Sequence, residues 1–238
     1  MKTFVIIPTY NEKENIKNLI NSIFKLKIPD LEVVIIDDNS PDKTWEIVEN
    51  LKKKNKKIHL ILRKKDRGRG FAGKEGFKFA LKNKADYIIE MDADFSHDPR
   101  YIPLFLEEIK NADLVLGSRL VKGGKDIGRG LIRRLITKIA NLYIQLMLGL
   151  RVKDCNSGYR CFRSKVIKAI NPDKIKAKGP DIVQEVLYKA HLKGFRIKEI
   201  PIEFIDRKKG KSKLGIQQLS RGYWAILKLK LLHLFNRV

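Results

Sequence analysis

Short apolar runs alternate with helical periodicity through the first half of the chain. The apolar runs that read as buried strands cover residues 4–8, 31–38, 58–62, 86–94 and 113–119. The segments with apolar residues at helical spacing cover residues 13–27, 74–83 and 101–110, and another helix follows the sequence SPDKT. This alternation predicts an α/β fold built from βαβ units, with a mainly parallel sheet and helices on both of its faces.

Two helix starts are marked by local chemistry. Ser40 and Pro41 stand where an N-cap and a first helical residue are preferred, so the second helix is expected to begin there. The segment RKKDRGRGFAG, residues 63–73, reads as a glycine-rich basic loop that leads into the third helix.

The second half of the chain has a different pattern. A long helix is predicted over 131–150, a loop over 153–163, a helix near 181–193 and a strand over 196–207 that Pro201 interrupts. No stretch reaches the ~18 uncharged apolar residues that a membrane span requires. The 131–150 helix has one polar stripe and one apolar side, so it either packs on the sheet or lies at a membrane surface. The polar stripe consists of Arg134, Lys138, Asn141 and Gln145, and the apolar side of Ile132, Leu135, Ile139, Tyr143 and Leu146.

Carboxylates follow several of the predicted strands. In parallel sheets ligands bind beyond the carboxyl ends of the strands, which selects Thr9–Glu12, Asp37 with Asp38, and Asp92–Asp94. Two carboxylates one residue apart suit Mg²⁺ or Mn²⁺ bridging a diphosphate. The alternative is a solvated acidic turn in which Asp98 and Pro99 begin the next helix.

The charge of the chain is strongly positive. There are 51 Lys and Arg residues against 27 Asp and Glu residues, a formal net charge of +24. Such a surface attracts nucleic acid, anionic lipid headgroups or phosphorylated substrates. A nucleic-acid-binding protein is therefore an alternative, although the basic loops beside a carboxylate crevice argue against it. The two cysteines, Cys155 and Cys161, imply reduced thiols rather than a disulfide framework or a zinc site.

Five motifs occur in a fixed order: VIIPTYNEKENI, VVIIDDNSPDKT, EMDADFSHDP, GSR and RKKGKSKLG. Together they resemble family-2 glycosyltransferases of the Rossmann-like GT-A fold, and among them the dolichyl-phosphate mannose synthase type in a short form without transmembrane helices. The resemblance implies one catalytic domain over 1–214, with a nucleotide-sugar half to about residue 120 and an acceptor half after it. Residues 215–238 are then expected to form a basic amphipathic helix.

The resemblance also implies the site residues. Those matching the nucleotide-sugar site are Pro8, Tyr10, Glu12, Ile36, Asp38, Asp92, Ala93, Asp94, Arg119, Arg207 and Lys213. Those matching the Mg²⁺ or Mn²⁺ site are Asp92, Asp94 and Ser96. Those matching catalytic positions are Asp94, Arg119, Arg133 and Thr137, with Arg133 and Thr137 at the acceptor phosphate.

The implied reaction is inverting transfer of mannose from GDP-mannose to dolichyl or another polyprenyl phosphate. UDP-glucose and UDP-N-acetylhexosamine stay open as donors. A phosphate acceptor is already anionic at pH 7 and needs no general base. Family members that act on sugar hydroxyls carry an acidic pair, and this chain has Asp181 and Glu185 in that region. The alternative interpretation of these two residues is structural, as a helix cap and a solvated helix position. The protein is expected to bind an anionic membrane peripherally on its cytoplasmic side, through its own helices or a small anchor subunit, and to bind no nucleic acid.

Overall fold

The strands form one central sheet and one small accessory sheet. The computed structural model describes residues 1–206 and 216–235, and the side chains of 1–206 and 222–235. The strands in chain order are β1 (Thr3–Thr9), β2 (Leu31–Asp37), β3 (Ile58–Leu62), β4 (Tyr87–Glu90), β5 (Leu114–Ser118), β6 (Lys125–Ile127), β7 (Arg160–Arg163), β8 (Ile197–Pro201) and β9 (Glu203–Ile205). Within the described residues the central sheet has the order β3-β2-β1-β4-β7-β5-β8, and β6 pairs with β9.

Helices cover both faces of the central sheet. They are α1 (Ile16–Lys25), α2 (Thr44–Lys54), α3 (Arg69–Lys82), α4 (Ile102–Glu108), α5 (Leu131–Leu148), α6 (Ser164–Ile170), α7 (Ile182–Leu192) and α8 (Ile216–Leu234). Two apolar clusters form the core, one on each side of the sheet, and α1 and α4 contribute to one while α3, α6 and α7 contribute to the other. The predicted α/β fold with a mainly parallel sheet is confirmed.

The strand β7 is the main departure from the predicted topology. Residues 153–163 read as a loop, but Arg160–Arg163 pairs antiparallel with both β4 and β5. The segment RCFR has charged residues at both ends, which hides its strand character. Arg160 is nonetheless fully buried, because its guanidinium donates to the equally buried Glu90. The two halves of the chain therefore share one sheet.

Two helix starts also differ from the prediction. The helix α2 begins at Thr44 rather than at Pro41. The backbone of Lys43 is in the left-handed region, with a φ of 64°, so the helix does not extend back to Pro41. Ser40 instead supports the preceding loop: its hydroxyl donates to Asp37 Oδ2 at 2.8 Å. The helix α3 begins at Arg69, inside the segment predicted as loop. A Cβ on Gly70 would lie 2.5 Å from the carbonyl oxygen of Ala177, so glycine is required where this helix starts against the 177–178 backbone.

The helix α5 buries Asn141, Ile144 and Leu148, whereas most of its predicted apolar side is exposed. Asn141 is buried, whereas Ile132 and Leu146 are 76% and 75% exposed. The exposed apolar side chains of this helix form one surface, which we call the α5 apolar face. It comprises Leu131, Ile132, Leu135, Ile139, Leu142 and Leu146. The helix α8 lies beside α5, where the rings of Tyr143 and Tyr223 are 4.7 Å apart. In the part of the chain that the structure describes, no helix is long and apolar enough to cross a membrane.

Candidate active site

The carboxyl ends of β1, β2 and β4 meet at one edge of the sheet. The strand β1 pairs in parallel with both β2 and β4, so the residues that follow the three strands are neighbours. The backbone N–H of Asp38 donates to the carbonyl of Thr9 at 3.2 Å, which joins the ends of β1 and β2. The structure thus brings together the three acidic segments that the strand-end rule selects.

Asp37 and Asp38 have different roles in this crevice. Asp37 is fully buried and accepts from the Thr9 hydroxyl and from the backbone and hydroxyl of Ser40, so it holds the loop together. Asp38 accepts from Arg63 and from the backbone N–H of Gly68 at 2.6 Å. Burial raises the pKa of Asp38 even though Gly68 and Arg63 act to lower it.

The other residues expected at the nucleotide lie at varied depth. Tyr10 is half-exposed at the end of β1, where its ring is open to a ligand. The carboxylate of Glu12 accepts from Asn15 at 2.9 Å. The side chains of Ile36 and Ala93 are buried, and that of Ile36 belongs to the core cluster, so only its backbone can face a nucleotide. Pro8 lies within β1 and is partly buried.

The first carboxylate of the DAD segment is held by an arginine that sequence reasoning missed. The guanidinium of Arg69 donates through Nη1 to Asp92 Oδ1, and its Nη2 lies 3.4 Å from Glu90 Oε1. Glu90 in turn accepts from Arg160. Two buried or half-buried arginines therefore balance the carboxylates at the end of β4. Nothing in the periodicity indicates Arg69, but its position between two glycines in a basic segment was the available signal.

The remainder of the DAD segment is supported locally. Ser96 donates to Asp94 Oδ1 from its hydroxyl at 2.6 Å and from its backbone N–H at 3.1 Å. His97 is buried, and its Nδ1 accepts from the backbone N–H of Asp92 at 2.9 Å. Burial lowers the pKa of His97 against the opposing effect of Asp92, so the imidazole is neutral in this role. Its ring stacks on Tyr159 with the centroids 4.9 Å apart.

The donor chemistry of this segment fits a divalent metal. Among the described residues, no three His, Cys, Asp or Glu side chains are grouped so that they could hold an ion. Mg²⁺ and Mn²⁺ keep one or two protein carboxylates and take their other ligands from phosphate oxygens and water. Asp92 and Asp94 supply such a carboxylate pair in the loop that follows β4. The hydroxyl of Ser96 donates to Asp94, and its place in the metal site stays a prediction.

Arg119 lies at the end of β5 and is oriented by a buried carboxylate. Asp154 accepts from Arg119 Nε at 2.7 Å and from Nη2 at 2.8 Å. The ring of Phe204 lies 4.9 Å from the Arg119 guanidinium and 5.8 Å from the ring of His97. Phe204 therefore contacts both Arg119 and His97, the histidine that accepts from the backbone N–H of Asp92.

The residues expected at the acceptor lie on the first turns of α5. Arg133 is partly exposed, and its Nη1 is 3.4 Å from Asp206 Oδ2. The hydroxyl of Thr137 donates to the carbonyl oxygen of Arg133 at 2.9 Å, one turn back on the helix. Arg207 and Lys213, expected at the diphosphate, lie outside the described residues.

Asp181 and Glu185 are both structural in their contacts. Asp181 occupies the N-cap position of α7, and its Oδ1 accepts from the backbone N–H of Gly179 at 3.1 Å. Glu185 is buried, which corrects its interpretation as a solvated helix position. It accepts from the backbone N–H of Ala177 at 2.7 Å and pairs with Lys189 at 2.9 Å.

Solved structures with the same fold include a glycosyltransferase in nucleotide complexes. Glucosyl-3-phosphoglycerate synthase from Mycobacterium tuberculosis, in complex with Mn²⁺, UDP and glucosyl-3-phosphoglycerate, superposes with a TM-score of 0.67 at 17% identity, over 98% of this chain and 79% of that one. The same enzyme in complex with Mg²⁺ and UDP also gives 0.67 at 17% identity, over 98% of this chain and 78% of that one. The predicted GT-A fold is confirmed.

Curated relatives are more similar in sequence. An undecaprenyl-phosphate mannosyltransferase from Micrococcus luteus is 36% identical over 90% of this chain and 88% of that protein. A polyprenol monophosphomannose synthase from Mycolicibacterium smegmatis is 34% identical over 90% of this chain and 81% of that protein. A dolichol-phosphate mannosyltransferase from Pyrococcus furiosus is 39% identical over 90% of this chain, which spans 59% of the longer protein.

The family model called glycosyl transferase family 2 matches residues 4–170. The matched region runs from β1 through α6 and so includes the crevice, the DAD segment and Arg119. The expected enzyme class is confirmed on this basis, and the chain belongs to glycosyl transferase family 2.

Proposed function

We propose that the protein transfers mannose from GDP-mannose to dolichyl phosphate or another polyprenyl phosphate, with inversion at the anomeric carbon. The proposal is supported by the three relatives above, each of which is named for mannosyl transfer to, or synthesis of a phosphomannose on, a polyprenyl lipid. UDP-glucose and UDP-N-acetylhexosamine are the competing donors, because a single buried carboxylate, Asp38, is proposed to contact the nucleobase, and one such contact does not select between the bases.

One structural observation carries the proposal: the carboxylate crevice and the α5 apolar face meet at the start of α5. Arg133 pairs with Asp206, which follows β9, and Phe204 of β9 packs on Arg119 in the crevice. Six large apolar side chains extend from that point along the helix. An acceptor with a phosphate head and a long apolar chain matches this arrangement, whereas a water-soluble sugar acceptor would leave the apolar face without a role.

The chemistry follows from the charges of both substrates. An oxygen of the lipid phosphate attacks the anomeric carbon of the donor sugar, the bond from that carbon to the diphosphate oxygen breaks, and the nucleoside diphosphate departs with the electron pair. The second pKa of a phosphomonoester is about 6, so the attacking oxygen is already anionic at pH 7. No general base is required, in keeping with the structural contacts of Asp181 and Glu185.

The basic side chains position the two anionic substrates. Arg133 would hold the lipid phosphate, and Arg119, with its direction fixed by Asp154, would face the charge that develops on the leaving group. Arg207 and Lys213 are proposed to contact the diphosphate. Asp92 and Asp94 would hold Mg²⁺ or Mn²⁺, which supplies charge neutralisation of the diphosphate when bound.

Membrane binding is proposed to be peripheral and on the cytoplasmic side. The α5 apolar face would lie in the headgroup region, with lysines near anionic lipids. A small anchor subunit covering the same face is the alternative. In this proposal residues 1–214 form the catalytic unit, with donor and acceptor halves that meet near residue 120, and 215–238 adds the second helix at the membrane.

The proposal is tested by turnover of a donor panel with purified full-length protein. GDP-mannose, UDP-glucose and UDP-N-acetylglucosamine are each offered with dolichyl phosphate, with dolichol, and with Mg²⁺, Mn²⁺ or a chelator. The expected result is a β-mannosyl phospholipid formed from GDP-mannose and dolichyl phosphate only, with a divalent ion. Product from dolichol, or from a UDP donor in preference to GDP-mannose, would contradict the acceptor or the donor assignment respectively.

A further inference from the structure

A buried carboxylate on β6 has an oxygen without a hydrogen-bond partner. Asp126 is 9% exposed, and its Oδ2 lies 3.2 Å from Nη1 of Arg129, which is similarly buried. Its Oδ1 is fully buried and accepts no hydrogen bond from any residue that the structure describes. The residues on either side, Lys125 and Ile127, are both exposed, so Asp126 alone on this strand points inward.

The register of the small sheet directs Asp126 toward the active site. Asp126 and Phe204 are directly opposite each other in the parallel pair β6 and β9, so their side chains project from the same face. The Phe204 ring packs against Arg119 and His97. The turn that leads into β6 is also close to Arg119, because a Cβ on Gly124 would lie 2.9 Å from the Arg119 carbonyl oxygen.

The electrostatics agree with this placement. Burial acts to lower the pKa of Arg119, but the pKa lies above its ordinary value because Asp154, Asp126 and Asp92 together outweigh that effect. Asp126 therefore lies within electrostatic range of Arg119, between the DAD segment and the start of α5. The link to α5 is direct, since Arg134 donates through Nη2 to the backbone carbonyl of Asp126.

The chemistry of the unpaired Asp126 Oδ1 selects its ligand. A buried carboxylate oxygen without a donor is costly, so a site built this way is completed by a group that donates a hydrogen bond. A phosphate group would be repelled by the carboxylate. A sugar hydroxyl is neutral and donates, and the N–H groups of Arg129 beside it can serve a neighbouring hydroxyl as donors.

We propose that Asp126, oriented by Arg129, accepts a hydrogen bond from a hydroxyl of the transferred sugar and so contributes to donor specificity. The inference rests on the proposed function for the identity of the donor. It adds to that function a sugar subsite on the accessory sheet, separate from the residues expected to bind the nucleotide and the metal. The competing interpretation is that Asp126 and Arg129 form a structural ion pair whose second oxygen binds only water.

The test compares binding of the sugar nucleotide with binding of the nucleotide alone. Full-length wild type, Asp126→Asn and Lys125→Ala are titrated by calorimetry with GDP-mannose and with GDP, and with UDP-glucose and UDP in parallel. A hydrogen bond to a charged group corresponds to about tenfold or more in affinity. Asp126→Asn is expected to weaken the sugar nucleotide by about that factor and to leave the nucleoside diphosphate unchanged. Lys125→Ala, on the same strand but exposed and paired with Glu203, is the matched control and should change neither.

Deoxy donors identify the hydroxyl. Wild type and Asp126→Asn are assayed with GDP-mannose and with its 2-, 3-, 4- and 6-deoxy forms. The donor that lacks the contacted hydroxyl should lose turnover with wild type but lose nothing further with Asp126→Asn, since the two changes remove the same contact. Equal losses for all donors in both proteins, or equal affinities of variant and wild type for GDP-mannose, would overturn the proposed sugar subsite. The competing interpretation, a structural ion pair whose second oxygen binds only water, would then be correct.

A second variant covers the event that Asp126→Asn does not fold. Asp126→Val combined with Arg129→Met replaces the whole ion pair by apolar groups and leaves no unpaired buried charge. It is expected to remain folded by circular dichroism and to show the same selective loss for the sugar nucleotide. A folded double variant with wild-type affinity for GDP-mannose also overturns the subsite. Failure of the proposed function appears differently, as absence of lipid product from wild type, and the comparison of sugar nucleotide with nucleotide still decides the subsite.

Discussion

The guanidinium of Arg119 is held on two sides by Asp154, which accepts from Nε at 2.7 Å and from Nη2 at 2.8 Å. Asp154 has no exposed side-chain surface and also accepts from the backbone N–H of Arg119 at 3.1 Å. Its own backbone N–H donates to Glu199 at 2.9 Å. A bidentate contact of this kind between a carboxylate and a guanidinium fixes both the position and the plane of the arginine. The orientation of the Arg119 guanidinium is therefore fixed by Asp154, which lies in the loop that precedes β7.

The first prediction concerns this pair. Asp154→Asn should lower the free energy of unfolding by about 3 to 5 kcal/mol, because it leaves a buried arginine without its counter-charge. It should also lower kcat, since Arg119 loses its orientation. Urea unfolding and steady-state turnover measure the two effects. Glu107→Gln breaks the exposed pair with Lys110 and serves as the control, with an expected change below about 1 kcal/mol. An Asp154→Asn protein as stable as wild type would show that another group replaces Asp154.

The second prediction concerns the metal. Asp94→Asn should abolish turnover that depends on Mg²⁺ or Mn²⁺ and leave the fold intact, because Asp94 lies in the loop after β4 and its described contacts are local. Binding of Mn²⁺, followed by electron paramagnetic resonance in the presence of GDP, should weaken in parallel. Ser96→Ala removes only the hydroxyl that orients Asp94 and should cause a smaller loss. Undiminished turnover and Mn²⁺ binding in Asp94→Asn would exclude this carboxylate as the ligand.

The third prediction concerns the α5 apolar face. Replacing Leu135, Ile139 and Leu146 together by glutamate should abolish sedimentation with liposomes that contain anionic lipid, because the exposed apolar surface is lost and negative charge is added. Each lysine near such a surface contributes about 1 kcal/mol, screened over about 10 Å at 0.1 M salt. Binding by wild type should therefore weaken with salt but persist, since apolar contacts remain.

The matched control for that face is Leu192→Glu, which changes an exposed leucine at the end of α7. It should leave liposome binding unchanged. If wild type itself does not sediment with anionic liposomes at low salt, the face is covered by a partner such as an anchor subunit, and the peripheral-membrane proposal is wrong.

The parts of the fold that could be predicted are the strands and helices whose own sequence pattern identifies them. The strand at 58–62 and the helix at 131–150 are continuous apolar or periodic segments, and they appear within two residues of their expected bounds. The strand β7 was missed because Arg160 is satisfied by Glu90, a partner 70 residues away that no local pattern reveals. The inward side of α5 was also hidden, since its buried Asn141 is paired with Asn156 from a distant loop.

The candidate site shows the same division. Asp92 and Asp94 were identified because they follow a strand and form a recognisable motif. Arg69, His97 and Asp126 were not, since their roles depend on the folded structure: Arg69 pairs with Asp92 from another element, His97 accepts from the backbone N–H of Asp92, and Asp126 is buried on β6. Local motifs can be found from sequence, whereas burial and contacts between elements require the structure.

The fourth prediction concerns the cysteines. Burial raises the pKa of Cys155 to about 12, and burial raises that of Cys161 as well. Both thiols should therefore be neutral and unreactive toward Ellman's reagent in the folded protein at pH 8, and both should react after unfolding in guanidinium chloride. In the unfolded chain a thiol loses its proton near pH 8.5. Because the folded pKa is higher, stability should fall as the pH rises above that value. Rapid labelling of the folded protein at pH 8 would contradict the burial of both side chains.

The fifth prediction concerns Arg133. Its Nη1 lies 3.4 Å from Asp206, and the side chain is partly exposed at the start of the α5 apolar face. An arginine placed there can hold a phosphate through two parallel hydrogen bonds, which a lysine cannot make. Arg133→Ala should therefore raise the KM for dolichyl phosphate at least tenfold and change the KM for GDP-mannose little. Arg133→Lys should restore only part of the loss.

The control for Arg133 is Lys138→Ala, which removes an exposed positive charge from the same helix. If general attraction of anionic lipid explained the effect, Lys138→Ala and Arg133→Ala would raise the KM for dolichyl phosphate equally, and added salt would remove the difference from wild type. If Arg133 only supports Asp206, Asp206→Asn would reproduce the kinetics of Arg133→Ala. A specific phosphate contact requires that Arg133→Ala raise the KM for dolichyl phosphate more than both of these variants do, with the loss confined to the lipid substrate.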